Sequence, residues 1–159
     1  MPHPARFPLR RVFWSGLAAL GLAQAALADE HRRVPLLPTY QQECAACHVP
    51  YPPGMLPAAS WQSLMNNLPR HFGTDASLDP ASVKALSTWL TANAGTYKRV
   101  REAPPEDRIT RSAWFIRKHD EVSAATWKLP AVKSAAQCAA CHGQAEQGDF
   151  SERNVHIPH

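Results

Sequence analysis

Cys44-Ala45-Ala46-Cys47-His48 and Cys138-Ala139-Ala140-Cys141-His142 are one five-residue motif written twice, and together they use all four cysteines of the 159-residue chain. Cysteines three positions apart lie about one helical turn from each other on a common face, so both thiols can reach one rigid object. The histidine that directly follows then stands beneath the centre of that object. This is the C-x-x-C-H pattern of covalent haem attachment: the two thiols add to the vinyl groups on one edge of a porphyrin, and the imidazole ligates its iron. Alanine at both middle positions favours a helix. Two disulfides, a four-cysteine zinc site or a thioredoxin-like pair would also use paired cysteines. None of these needs a histidine at that place, and here it occurs twice. The sequence is therefore read as holding two haem c groups through Cys44, Cys47, Cys138 and Cys141, with His48 and His142 as iron ligands.

Outward from the first motif, residues 1–11 hold three arginines and no acid, and the largely apolar run 12–28 ends in Ala26-Leu27-Ala28. A basic start, a short apolar core and a small-x-small end read as a secretory signal peptide over residues 1–28, and hence as export to the periplasm. The run is short of the roughly 20 residues a bilayer span needs. No second run of that kind follows, so no stable membrane insertion is expected once the leader is cleaved. Three of the seventeen basic residues, Arg6, Arg10 and Arg11, fall in the leader, and none of the thirteen acidic ones does. The mature chain thus has fourteen basic against thirteen acidic side chains. The formal charge of +4 is mostly the leader's and is no argument for nucleic-acid binding.

The remaining periodicity reads as all-α, because no segment sustains an alternation of period two. A short helix is expected over residues 40–47, and a second from Ser60 as N-cap to Leu68, where Trp61, Leu64, Met65 and Leu68 share a face. A third is expected from Asp79-Pro80 to about Asn93, with Val83, Leu86 and Leu90 as its stripe. Residues 96–108, charged and containing Pro104-Pro105, read as a linker between two small haem-binding halves of cytochrome c character, residues 29–100 and 101–159. In the second half a helix is expected over residues 110–120, and another from Pro130 that carries residues 137–142. The last 17 residues, 143–159, are expected to be polar and extended. The halves are not a tandem repeat, since one motif opens its half and the other nearly closes it.

The far side of each iron decides the chemistry. No methionine follows Met65, so the second iron can draw only on His119, His156 or His159. His119 ends the run Trp114-Phe115-Ile116-Arg117-Lys118, whose aromatics must lie on something apolar, and it is favoured over the tail histidines. For the first iron, His71, Met55 and Met65 compete, with His31 a weaker candidate. Met65 lies on the apolar face of its helix, and Met55 is close to Cys47. His71, just past a helix end, is favoured. Histidine on both sides of both irons would leave no free coordination position and suits an electron relay. An iron left open would instead suit a haem enzyme or a sensor of gas or peroxide.

The chain resembles the small soluble dihaem cytochromes c of the DHC type. The resemblance rests on Glu43 to His48, on Leu-Pro-Arg-His-Phe-Gly at 68–73, on Trp-Phe-Ile-Arg-Lys-His-Asp-Glu-Val at 114–122, and on Cys-Ala-Ala-Cys-His-Gly at 138–143. It implies an all-α protein that is an electron carrier and not an enzyme. It implies bis-histidine ligation by His48 with His71 and by His142 with His119. It also implies electron exchange with other redox proteins, such as a small oxygen-binding monohaem cytochrome or a membrane cytochrome b.

Overall fold

Asp79 and Pro80 open the longest helix of the protein as the sequence suggests. In the computed structural model, which describes residues 34–159, the Asp79 carboxylate accepts from the backbone N–H groups of Ala81 and Ser82 at 2.9 and 3.1 Å. These bonds satisfy two of the donors that a helix start leaves free. The expected leader, residues 1–28, and His31 lie outside the described residues.

Five short α-helices carry the described chain: α1 (Pro38–Cys44), α2 (Ala58–Met65), α3 (Pro80–Ala92), α4 (Ala113–Lys118) and α5 (Ala124–Trp127). Eight 3-10 turns stand between and after them. Pairing of β type among the described residues is confined to isolated bridges, so the fold is all-α. The described parts of the two expected halves lie within one compact unit, Arg33–His159.

α2 and α3 pack against each other, and α1 lies on α3. Tyr40, Leu56, Trp61, Met65, Leu68, Leu86 and Leu90 form the buried core between them. Around this core runs the loop that follows the first motif, Pro50-Tyr51-Pro52-Pro53-Gly54. Its prolines have no N–H to donate, and three of its carbonyls accept from side chains elsewhere. Tyr40 donates to the Tyr51 carbonyl at 2.9 Å, Trp61 Nε1 to that of Pro53 at 2.7 Å, and Tyr97 to that of Gly54 at 2.7 Å. The loop is thereby bound to the core.

The structure corrects several expected boundaries. α2 begins at Ala58, after Pro57 in extended conformation, because Ala58 and Ala59 are strong helix formers; Ser60 is fully buried inside the helix and caps nothing. α2 stops at Met65, ahead of Leu68-Pro69, where the proline disfavours helical backbone before it. Residues 96–108 are not a free linker. Val100 is 2% exposed, and the segment turns twice, in 3-10 conformation at Lys98–Val100 and through left-handed Glu106 and Asp107 at Pro105–Asp107. α4 is shorter than residues 110–120 because Ser112 caps it, accepting from the Phe115 N–H at 3.2 Å.

No helix starts at Pro130: residues 130–137 are turns, Lys133 has a left-handed backbone (φ 65°), and the second motif holds only the 3-10 turn Cys138–Ala140. The tail is not simply extended. It folds back on the second motif, with the His156 N–H donating to the Cys141 carbonyl at 2.8 Å and that of Gly143 to the Asn154 carbonyl at 3.1 Å. Buried Asp149 accepts from the Ser151 N–H and from Asn154 Nδ2, which holds the fold-back together.

Candidate haem sites

α1 delivers Cys44 at its last residue, and Ala45 to Cys47 continue as a turn that sets His48 at the head of the proline loop. His48 Nδ1 lies 2.7 Å from the Val49 carbonyl. A carbonyl can only accept, so the proton sits on Nδ1 and the lone pair on Nε2 is left for a metal. The ring stacks on Tyr51 at 4.7 Å, 16° from parallel.

The imidazole facing His48 is that of His71. Its element is a tight turn. After the 3-10 turn Leu68–Arg70, the chain reverses through Phe72 (φ 52°) and Gly73 (φ 95°), and the Thr74 N–H returns to the His71 carbonyl at 3.0 Å. Two positive φ angles in succession mark a mirror-image turn, for which glycine is suited and phenylalanine is not. A bulky residue held there costs on the order of 1–3 kcal/mol, and such strain clusters at functional positions. The Arg108 guanidinium lies 4.1 Å over the Phe72 ring and helps hold the turn. Burial, with His48 and Arg108 nearby, lowers the pKa of His71 and favours the neutral ring that a metal requires.

The second site repeats this logic with other elements. His119 terminates α4, and its Nδ1 lies 2.8 Å from the Phe115 carbonyl one turn back, which again leaves Nε2 free. Its ring stacks on Phe115 at 4.0 Å and lies 6.0 Å from Trp127. A cavity of about 400 Å³ opens beside it, lined by Phe115, His119, Val122 and Trp127 among others. His142 follows the 3-10 turn of the second motif, and its backbone N–H donates to the Cys138 carbonyl at 2.9 Å. Phe150, from the folded tail, approaches its ring at 5.3 Å. Burial and His119 lower the pKa of His142, partly opposed by Asp149.

The two pairs have the same spacing. The ring centres of His48 and His71 are 6.2 Å apart, and so are those of His119 and His142. A metal between two imidazoles, at roughly 2.0–2.1 Å from each nitrogen, places the ring centres about 6.3 Å apart. The Nδ1 atoms of His71 and His142 are buried and meet no protein partner. The donors present therefore fit a haem iron at each motif.

The cysteines fit thioether formation better than the alternatives. All four are free of disulfide pairing, and among the described residues no three His, Cys, Asp or Glu side chains converge as an ion site. Burial, aided by Glu43, pushes the Cys44 thiol up to about 11. Cys138 also stands at about 11, chiefly through burial, and burial raises Cys141 too. A thioredoxin-like pair needs a depressed thiol, the opposite of what is found at Cys44, Cys138 and Cys141.

Of the other candidates for the far side, Met65 is committed to the core, His156 and His159 are exposed, and Met55 sits on the 3-10 turn Pro53–Met55. Tyr51 and Phe115, which stack on the imidazoles, were not singled out in the sequence for that role. For Tyr51 a signal existed: an aromatic ring fixed between prolines three residues after a metal-ligating histidine has little freedom to be anywhere but against it.

Residues 40–150 match the family model described as dihaem cytochrome c. The chain is similar to the diheme cytochrome type c from Shewanella baltica OS155, with 39% identity over 79% of this chain and 95% of that one and a TM-score of 0.68. It is also similar to DHC from Rhodobacter sphaeroides, with 45% identity over 74% of this chain and 99% of that one and a TM-score of 0.64. Comparison with curated proteins finds no match. No described helix is long and apolar enough to cross a membrane. With two attachment motifs, a matching all-α fold and a family match over most of its length, the chain belongs to the dihaem cytochrome c family and carries two covalently bound haem c groups.

Proposed function

We propose that this cytochrome is an exported electron carrier of the periplasm, with His48 and His71 on the two sides of one iron and His142 and His119 on the two sides of the other. The observation that supports this reading most is the pairing itself. Each motif histidine faces a histidine from a separate element at a ring separation of 6.2 Å. Bound haem supplies reversible one-electron chemistry at iron.

The part of the protein is to hold four imidazoles so that neither iron has a position left for oxygen or peroxide. His48 is fixed between the Val49 carbonyl and Tyr51, and His119 by the carbonyl and ring of Phe115, so little has to move when the charge at the site changes. Two nitrogen donors also favour a lower potential than histidine with methionine. Cys47 and His48 of the first motif and Ala139 of the second border one cavity of about 770 Å³, a closeness that suits a relay. Its partner would be another redox protein, such as a small oxygen-binding monohaem cytochrome or a membrane cytochrome b. The leader over residues 1–28 supports a periplasmic location.

Carbon monoxide tests the reading. The dithionite-reduced holoprotein is expected to show no change in its Soret band when carbon monoxide is admitted, yet to be reoxidised on mixing with a ferric cytochrome. A carbon monoxide complex at either haem would mean an accessible iron and a ligand-binding or catalytic role.

A further inference from the structure

Tyr51 touches both haem sites, although it belongs to neither motif. Its ring lies flat on His48, 4.7 Å away and 16° from parallel. Its hydroxyl donates across 85 positions of sequence to the Ala136 carbonyl at 3.1 Å, two residues before Cys138. The residue is itself held from behind, because its own carbonyl accepts from the buried Tyr40. Pro50 and Pro52 on either side restrict its backbone. Half-buried Tyr51 thus joins the first attachment motif to the chain just ahead of the second.

The segment it reaches is pinned at one end by fully buried Val132, and beyond that its own backbone bonds are local turns. Residues 130–137 are turns, Lys133 takes a strained left-handed backbone, and Ala136 and Gln137 are exposed. From Cys138 onward the chain carries the second site, with the N–H groups of Cys141 and His142 both donating to the Cys138 carbonyl at 3.2 and 2.9 Å. The orientation of His142 therefore depends on where Cys138 is set, and the Ala136 carbonyl lies two residues upstream of it.

We propose that Tyr51 is a positioning residue that couples the two haem sites, its ring orienting the His48 imidazole and its hydroxyl anchoring the backbone that carries Cys138 and His142. The proposal rests on the reading that these histidines ligate the two irons. The two contacts use different parts of one side chain, so substitution can separate them. Tyr51→Phe keeps the ring and removes the hydroxyl, whereas Tyr51→Leu removes both.

Both variants would be made as holoproteins, with haem content checked by thioether-linked haem staining, and compared with the unsubstituted protein by low-temperature EPR and by spectroelectrochemical titration. His119→Ala identifies which signal belongs to the second site. Tyr51→Phe is expected to leave the g-values of the first site in place and to shift the signal and midpoint potential of the second. Tyr51→Leu is expected to shift both sites, the phenyl ring of the Phe variant thus rescuing the first site alone. Low-spin signals and potentials that neither substitution moves would overturn the proposal while leaving the ligation reading intact. A second site unmoved in Tyr51→Phe would also overturn it. High-spin iron in the unsubstituted protein would overturn the ligation reading and the proposal with it.

Discussion

Replacing His119 with alanine is expected to turn the second haem high-spin and open it to carbon monoxide, so that about half of the iron in the protein changes class while the rest does not. The size of the effect follows from what His119 does. Its ring faces His142 at 6.2 Å, its Nδ1 is tied to the Phe115 carbonyl, and it borders a cavity of about 400 Å³. Truncation enlarges that space on the side where a small ligand would bind. Of the other side chains lining it, only Asp120 and Ser134 carry lone pairs, and these are hard oxygen donors, which leave iron high-spin. The tail cannot readily supply a replacement, because His156 is held through its backbone N–H to the Cys141 carbonyl. EPR and carbon monoxide difference spectra check this. Low-spin iron at both sites of His119→Ala would remove His119 from the ligand set and return attention to His156 and His159.

The corresponding change at the other site, His71→Ala, is expected to turn the first haem high-spin, and added imidazole is expected to restore the low-spin state. The tight turn that carries His71 is set by the backbone bond from the Thr74 N–H to its carbonyl, and Arg108 holds Phe72. Alanine keeps the backbone at position 71, where φ is an ordinary −67°, so the turn should survive and leave an imidazole-sized gap opposite His48. Rescue by imidazole separates loss of a ligand from collapse of the loop. Retained low-spin coordination without added imidazole would point to Met55 or His31 as the ligand.

What could be read in the sequence divides along physical lines. The two motifs were fully legible, because thioether attachment demands two thiols and an imidazole at fixed spacing. α3 was legible for a similar reason: Asp79, Pro80 and the stripe of Val83, Leu86 and Leu90 are local signals that agree with one another. His71 and His119 were legible as candidates, and the structure brings each opposite a motif histidine.

The chain around the second motif was not legible. Ala-rich residues 135–140 have helix propensity, yet the backbone there is turns and one 3-10 element. Tertiary anchors from Tyr51 and the folded tail decide its course, and neither is close in sequence. The packing of the charged stretch at 96–108 was not legible for a related reason. Its composition is that of a solvated linker, but Val100 and the hydroxyl of Tyr97 tie it to the body of the protein. The polar composition of the tail suggests an extended chain because it carries no record of the burial of Asp149, which is a property of the fold-back.

The central claim, that two imidazoles stand on each iron, is tested most directly by low-temperature EPR of the oxidised holoprotein. The account predicts two low-spin ferric signals and no high-spin one. It also predicts that they differ: the ring planes of His48 and His71 lie 29° apart, whereas those of His119 and His142 cross at 68°. Near-parallel imidazoles act on one of the two iron π orbitals and separate them in energy, which gives a rhombic spectrum. Crossed imidazoles act on both and leave them nearly equal, which gives a signal with one very large g-value. A high-spin ferric signal from either haem would contradict the account.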